Sequence, residues 1–190
     1  MKLIFATNNQ HKIAEIRSIL TGDIEVITLN EAGISVDISE PYNTLKENAR
    51  EKARTIHQLT NADCFSEDTG LEVFALKGAP GVKTARYAGK NSSDHKNIEK
   101  LLYNLSTITN RKAEFRTIIC LIKQNQEFFF EGVCAGTIIT KQIGTSGFGY
   151  DSVFMPDGAG ITFAQMPLEE KNRYSHRKKV LDKLVAFLKE

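Results

Sequence analysis

The chain is short of several things, and each shortage removes a class of protein. Among its 190 residues are only three cysteines, Cys64, Cys120 and Cys134, widely spaced and without a CxxC pair. So few, so scattered, they make neither a disulfide framework nor a zinc set; buried thiols in a reducing cytoplasm are expected. The four prolines, Pro41, Pro80, Pro156 and Pro167, form no Pro-rich run, and no low-complexity linker divides the chain. No uncharged apolar run approaches the roughly 18 residues of a membrane span. The apolar stretch at residues 3–6 is too short for a signal peptide. Charge of one sign is scarce as well. With 25 Lys+Arg against 23 Asp+Glu, the net of +2 gives no broad field for nucleic acid and no acidic tail. The P-loop pattern G-x-x-x-x-G-K-[ST] is absent, and no G-x-S-x-G elbow surrounds Ser175.

What is present is ordinary globular material, 41% hydrophobic and 25% charged. A chain of this length buries roughly 70% of its unfolded surface, so it needs neither disulfides nor a structural metal. A single domain over residues 1–190 is expected.

Residues 3–6 predict a buried strand. A helix follows Thr7-Asn8-Asn9, with Ile13, Ile16, Ile19 and Leu20 on one face and Gly22 as its stop. Residues 24–29 predict a second strand, 40–43 a turn, and 44–59 a helix carrying Leu45, Ala49, Ala53 and Ile56 inward. Residues 64–66 and 71–76 predict two strands broken by a tight Glu67-Asp68-Thr69-Gly70. A Gly/Pro loop at 78–89 leads to a helix at 94–105. Residues 113–122 and 127–139 predict a long hairpin turning at 123–126. Residues 153–155 are extended, and Ser175 caps a final helix. Strand-helix-strand units joined to a hairpin indicate a mixed sheet in an α/β (mixed α+β) domain.

Four segments carry chemistry. Thr7 to Lys12 lies between a strand and a helix, where free N–H groups and the helix dipole suit phosphate, with Lys12 in reach of the same anion. Glu67 and Asp68 are adjacent carboxylates, expensive to bury unless a cation such as Mg²⁺ offsets their repulsion; the plain alternative is an exposed turn. In Gly144 to Asp151, glycines allow close backbone approach, Phe148 offers a face for a planar base, and Asp151 offers an acceptor for a ring N–H. Glu169 to Lys179 gathers donors around Ser175, His176 and Arg177 at a helix start; a solvated charged face is the competing reading. Arg111, Lys112 and Arg116 near Phe115 are too few for a nucleic-acid patch, and a solvated sheet face is favoured.

Taken together, ATNNQHK, ENAREKA, SEDTGLEV, APGVKTARYAG, GTSGFGYDSVF and TFAQMPLEEKNRYSHR resemble one family in its own order. It is the non-canonical purine nucleoside triphosphate pyrophosphatases, the dITP/XTP or inosine triphosphate pyrophosphatases. The resemblance runs over nearly the whole chain. Glu67 stands where the family usually has Asp, Thr69 where Ser is usual, Leu45 where Phe is usual, and Tyr174 where Ile is common.

The resemblance implies a long central mixed sheet with flanking helices, two lobes around a cleft, and a homodimer. It implies Mg²⁺-dependent hydrolysis of ITP, dITP and XTP to the monophosphate and pyrophosphate, cleansing the nucleotide pool in the cytoplasm. Thr7, Asn8, Asn9, Gln10, His11 and Lys12 would bind the triphosphate. Asp68 would accept the proton and ligate metal, with Lys52 and Lys12 as catalytic cations and Glu40 as the second metal carboxylate. Glu67 would assist through the metal's shell or through hydrogen bonds alone. Thr69, Phe148, Gly149, Tyr150, Asp151, Lys171, His176 and Arg177 would meet the substrate.

Base choice has a physical logic. Hypoxanthine and xanthine present a 6-oxo acceptor and an N1–H donor, and adenine presents the reverse, so a matched site leaves buried groups unpaired against ATP. Two rivals remain. A Maf-type nucleotide pyrophosphatase would act on other nucleotides, and the GFGYD and SHR segments argue against it. A non-catalytic nucleotide-binding protein is opposed by the intact Glu40, Lys52 and Asp68. The small net charge conceals two opposed clusters: residues 37–72 hold eight acids and four bases, and residues 171–190 hold seven bases and two acids.

Overall fold

The computed structural model describes residues 1–190 apart from Thr21, Asp23, Asp37 and Glu190. Asp37 and Glu190, at the ends of the two charge clusters, therefore lie outside the described residues. The helices are α1 (Gln10–Ile19), α2 (Leu45–Thr60), α3 (Asp94–Asn104), α4 (Leu168–Tyr174) and α5 (His176–Leu188). The strands are β1 (Lys2–Phe5), β2 (Glu25–Thr28), β3 (Cys64–Val73), β4 (Pro80–Gly81), β5 (Lys112–Lys123), β6 (Gln126–Ile138) and β7 (Phe154–Pro156). Their hydrogen-bonded order is β2-β1-β3-β5-β6-β7, with β4 paired to β3. β1 is parallel to β2 and β3, whereas β3–β4 and β6–β7 are antiparallel, so the sheet is mixed.

The chain forms two compact units. The first comprises residues 1–68, 117–132 and 177–190; the second comprises 69–116 and 133–176.

In the first unit, helical crossovers allow the parallel pairing of β1 with its neighbours. Alternation along β1 and into Ala6, the residue after it, sends Leu3 and Phe5 to one face and Ile4 and Ala6 to the other. Leu3 and Phe5 pack with Ile13 and Ile16 of α1 and with Val180, Leu181 and Leu184 of α5. Ile4 and Ala6 pack with Ala49, Ala53 and Ile56 of α2. Phe5 and Phe65 stack with ring centroids 4.6 Å apart. Asn9 caps α1 by accepting the Lys12 N–H, and Thr44 caps α2 by accepting the Glu47 N–H. The β5–β6 connection is tighter than the expected four residues. Gln124 and Asn125 alone make it, at φ +52° and +64°, the left-handed pair that matches hairpin twist.

In the second unit, the core gathers Leu71 and Val73 of β3, Ile98 and Leu101 of α3, Phe115, and Phe154 and Phe163. Phe115 meets Phe154 edge-on at 4.7 Å.

One expectation fails. Residues 64–66 and 71–76 are not two strands around a turn, because β3 runs unbroken through Glu67, Asp68, Thr69 and Gly70. Gly70 is extended strand, outside the positive-φ glycines. The turn-like composition misleads because cations neutralise both carboxylates, which lets a strand carry them into the interior. The strand ends at Val73, and residues 74–76 form a 3₁₀ turn closed by Lys77 at φ +55°.

Candidate functional site

The first unit holds a largely buried network of charge. Lys52 of α2 donates to Glu40 at 2.6 Å and to Asp68 of β3 at 2.8 Å. One ammonium thus draws two carboxylates together. Ser66 fixes β3 to α2 by donating to the Ala49 carbonyl. Burial pushes the Asp68 carboxyl above the usual aspartate range and Glu40 adds to the rise, while Lys52 and then Lys12 oppose it. Burial works against the Lys52 ammonium too, yet Asp68 and Glu40 outweigh it and raise its pKa. The proton therefore stays on the lysine, and Asp68 is a stronger base than a solvated aspartate.

Glu67 points into a second part of the network. Arg177 grips it with two prongs, Nε to Oε2 at 2.9 Å and Nη2 to Oε1 at 2.8 Å. Lys12 reaches the same Oε1 at 3.3 Å. The third prong of Arg177, Nη1, donates to Glu15 of α1. Arg177 is 1% exposed. Burial disfavours its charge, but Glu67 and Glu15 more than restore it, so its pKa is raised.

Around this network, Thr7 is half-buried, and Asn8, Asn9, Gln10 and His11 are exposed at the start of α1. The Thr7 hydroxyl accepts the Asn9 N–H at 3.2 Å. No acidic residue occupies the first turn of α1, so the positive end of its dipole is open to an anion.

The second unit holds the Gly-rich loop. Asp151 organises it: its Oδ2 accepts the Phe148 N–H at 3.0 Å and the Lys171 ammonium at 2.6 Å. Gly147 sits at φ +78°, and a Cβ there would lie 2.0 Å from Asp151 Oδ2, so only glycine fits. Lys171 Nζ also stands 5.4 Å from the Phe148 ring centroid and 5.2 Å from that of Phe163. A cavity of about 310 Å³ adjoins the loop, lined by Asp94, Ile98, Gln142, Thr145, Ser146 and Phe148 among others. That volume is at the small end of ligand pockets.

Tyr150 is buried in the core and donates to the Thr84 carbonyl at 3.0 Å. His176 is buried with its ring stacked on Phe115 at 4.8 Å. Thr69 is half-buried on β3. Arg111 donates to the carbonyls of Leu105, Ile138 and Ile139, and Arg116 pairs with Glu72 and Glu114, so both arginines are engaged within the protein, whereas Lys112 is exposed. Cys64, Cys120 and Cys134 are free and buried. Burial pushes the thiols of Cys64 and Cys120 up to about 12.

Sequence reasoning missed Glu15 and Asp94. Glu15 left a faint signal, a carboxylate among the inward-facing Ile13 and Ile16. Asp94 left none, since an acid in the first turn of a helix is commonplace.

Among the described residues, no set of three or more His, Cys, Asp or Glu is placed to hold a metal by itself. Mg²⁺ needs less, because it binds through one or two carboxylates with phosphate oxygens and water. Glu40 and Asp68, already converging on one cation, fit that requirement. Glu67 is committed to Arg177 and Lys12.

The sequence model of the Ham1 family matches residues 3–187. The chain is 47% identical over 189 residues to the dITP/XTP pyrophosphatase of Flavobacterium psychrophilum, covering 100% of both chains. It is 50% identical over 188 residues to the dITP/XTP pyrophosphatase of Porphyromonas gingivalis, covering 98% of this chain and 97% of that one. Among solved structures, the Staphylococcus aureus Ham1 protein superposes with a TM-score of 0.90 at 38% identity, over 100% of this chain and 98% of that one.

Proposed function

The chain belongs to the Ham1 family, and from that premise we propose that it hydrolyses inosine, deoxyinosine and xanthosine triphosphates to the monophosphate and pyrophosphate. The observation that carries the reading is the buried Lys52 ammonium joining Glu40 to Asp68. The relatives' names supply the substrate class.

The chemistry follows from the residues. A triphosphate brings about four negative charges, so neutralisation matters as much as a base. Lys12, Lys52 and the open start of α1 receive the phosphates, with Thr7, Asn8, Asn9, Gln10 and His11 placed along them. Asp68, its basicity raised by burial, orients a water and takes its proton as the water oxygen attacks the α-phosphorus. The α–β anhydride bond breaks, and pyrophosphate leaves. Glu40 and Asp68 would hold Mg²⁺, which would supply charge stabilisation on the phosphate oxygens. Three cations, Lys12, Lys52 and Arg177, stand against four carboxylates, Glu15, Glu40, Glu67 and Asp68, and this surplus of negative charge supports a divalent cation. Glu67 acts through its hydrogen bonds, holding Arg177 and Lys12.

Phe148 stacks on the base. Gly149, Tyr150, Asp151 and Lys171 hold that platform, and Thr69, His176 and Arg177 complete the substrate contacts. The protein works in the cytoplasm as a homodimer; its three free buried thiols support a reducing compartment, and the family resemblance supports the dimer. No helix among the described residues is long and apolar enough to cross a membrane.

The test is pyrophosphate release from ITP, XTP, ATP, GTP and dTTP with and without Mg²⁺. Release from ITP and XTP, dependent on Mg²⁺ and far above that from ATP and GTP, is expected. Equal rates on all five, or preference for dTTP, would overturn it.

A further inference from the structure

The loop around Phe148 is held by one contact that no motif announces. Gly149 donates its N–H to Asp94 Oδ2 at 2.6 Å, across 55 residues of sequence. The need for it is conformational. Gly147 and Gly149, on either side of Phe148, sit at φ +78° and +59°. Glycine populates many backbone states, so the peptide between Phe148 and Gly149 has no steric lock of its own. Asp151 secures the N–H on one side of Phe148. Asp94 secures the N–H on the other, by a short bond to a carboxylate.

The anchor is itself anchored. Asp94 opens α3, where the helix field favours a carboxylate, and Ser93 caps that helix through the Lys96 N–H. Asn97, 1% exposed, fixes the start of α3. Its Oδ1 accepts the Ala88 N–H at 2.8 Å and the Ser92 hydroxyl at 2.7 Å, and its Nδ2 donates to the Ala85 carbonyl at 3.1 Å. Asp94 and Phe148 line the same cavity.

We propose that Asp94 is a positioning residue for base recognition: it fixes the Gly149 peptide, and through it the pose of the Phe148 ring. This rests on the function proposed above and deepens it. Asp94 acts on how the base is held and leaves the hydrolytic step to Asp68.

The experiment compares ITP and ATP kinetics, and amide exchange at Gly149, for the wild type, Asp94→Ala, Asp94→Asn and Ser93→Ala. Losing a bond to a charged acceptor corresponds to roughly a tenfold effect. Asp94→Ala is expected to raise KM for ITP by about that factor, with kcat little changed, a narrower preference for ITP over ATP and faster exchange at Gly149. Asp94→Asn keeps an acceptor oxygen and restores KM and the preference. Ser93→Ala loosens the same helix end without touching Gly149, and leaves KM as it was. An Asp94→Ala enzyme with wild-type KM and preference, an Asp94→Asn no better than Asp94→Ala, or a Ser93→Ala that mimics Asp94→Ala would overturn the role. With an active wild type, those results remove this role alone. A wild type inactive on ITP removes the proposed function first, and this role with it.

Discussion

The two units hold their functional residues by different means. In the first, buried cations are met by carboxylates, buried except for the half-buried Glu40: Arg177 spans Glu15 and Glu67, and Lys52 spans Glu40 and Asp68. In the second, the Lys171–Asp151 pair is one tie among several, and much of the loop's shape comes from backbone N–H groups and glycines at positive φ. The first arrangement fixes formal charges in a low-dielectric setting, where they act strongly on a phosphate or a water. The second fixes the orientation of an aromatic face, which needs geometry more than charge. Under the proposed function, reaction and recognition make different demands, and each unit would answer one of them.

That contrast can be broken by substitution. The largest effect is expected from Asp68→Asn, which should lower kcat for ITP by roughly 10²–10⁴, the range for a general base. Lys52 keeps Glu40 as a partner, so the variant should fold, as circular dichroism would show. As the proposed base, Asp68 would have to be ionised in the wild type, so kcat/KM should rise with pH through its pKa. Because burial raises that pKa, the acidic limb should lie above the ordinary aspartate value of about 3.9. A limb at that ordinary value would contradict the assignment.

Next is Arg177→Met, which removes the guanidinium that pairs with both Glu15 and Glu67 and leaves Glu67 with Lys12. Removing one partner of a buried ion pair costs about 3–5 kcal/mol, so the melting temperature should fall by roughly 10 °C. An unchanged melting curve would show that the network is not what holds those carboxylates.

The smallest effect is expected at the surface of the first unit. Arg17 and the Thr28 N–H hold the exposed Glu31 carboxyl down to about 2, against 4.5 for a free one. Its folded pKa is depressed, so its contribution is present above pH 4.5 and is lost as pH falls toward about 2. Glu31→Gln should therefore melt slightly below the wild type at neutral pH, with the gap closing as pH drops below 4.5. A gap of the Arg177→Met size would erase the distinction between buried and exposed charge.

How much was legible in the sequence follows from where each signal resides. β1, α1, β2, α2, α3 and the β5–β6 hairpin were legible because periodicity and caps are local. β3 was not, because Glu67-Asp68-Thr69-Gly70 has the composition of a turn, and the cation that keeps Glu67 on a buried strand is 110 residues away in Arg177. The same holds for the site. Lys12, Glu67, Asp68, Asp151 and Lys171 stand out by type and setting. Glu15 and Asp94 matter through partners 162 and 55 residues away, and no local pattern encodes those distances.

The division of labour between the units has one direct test. It is the ratio of kcat/KM for ITP to that for ATP, measured in the wild type, Asp68→Asn and Phe148→Ala. Asp68→Asn is expected to depress both substrates alike and leave the ratio unchanged, whereas Phe148→Ala should shrink it. A ratio that collapses in Asp68→Asn, or survives intact in Phe148→Ala, would contradict the assignment of reaction to one unit and recognition to the other.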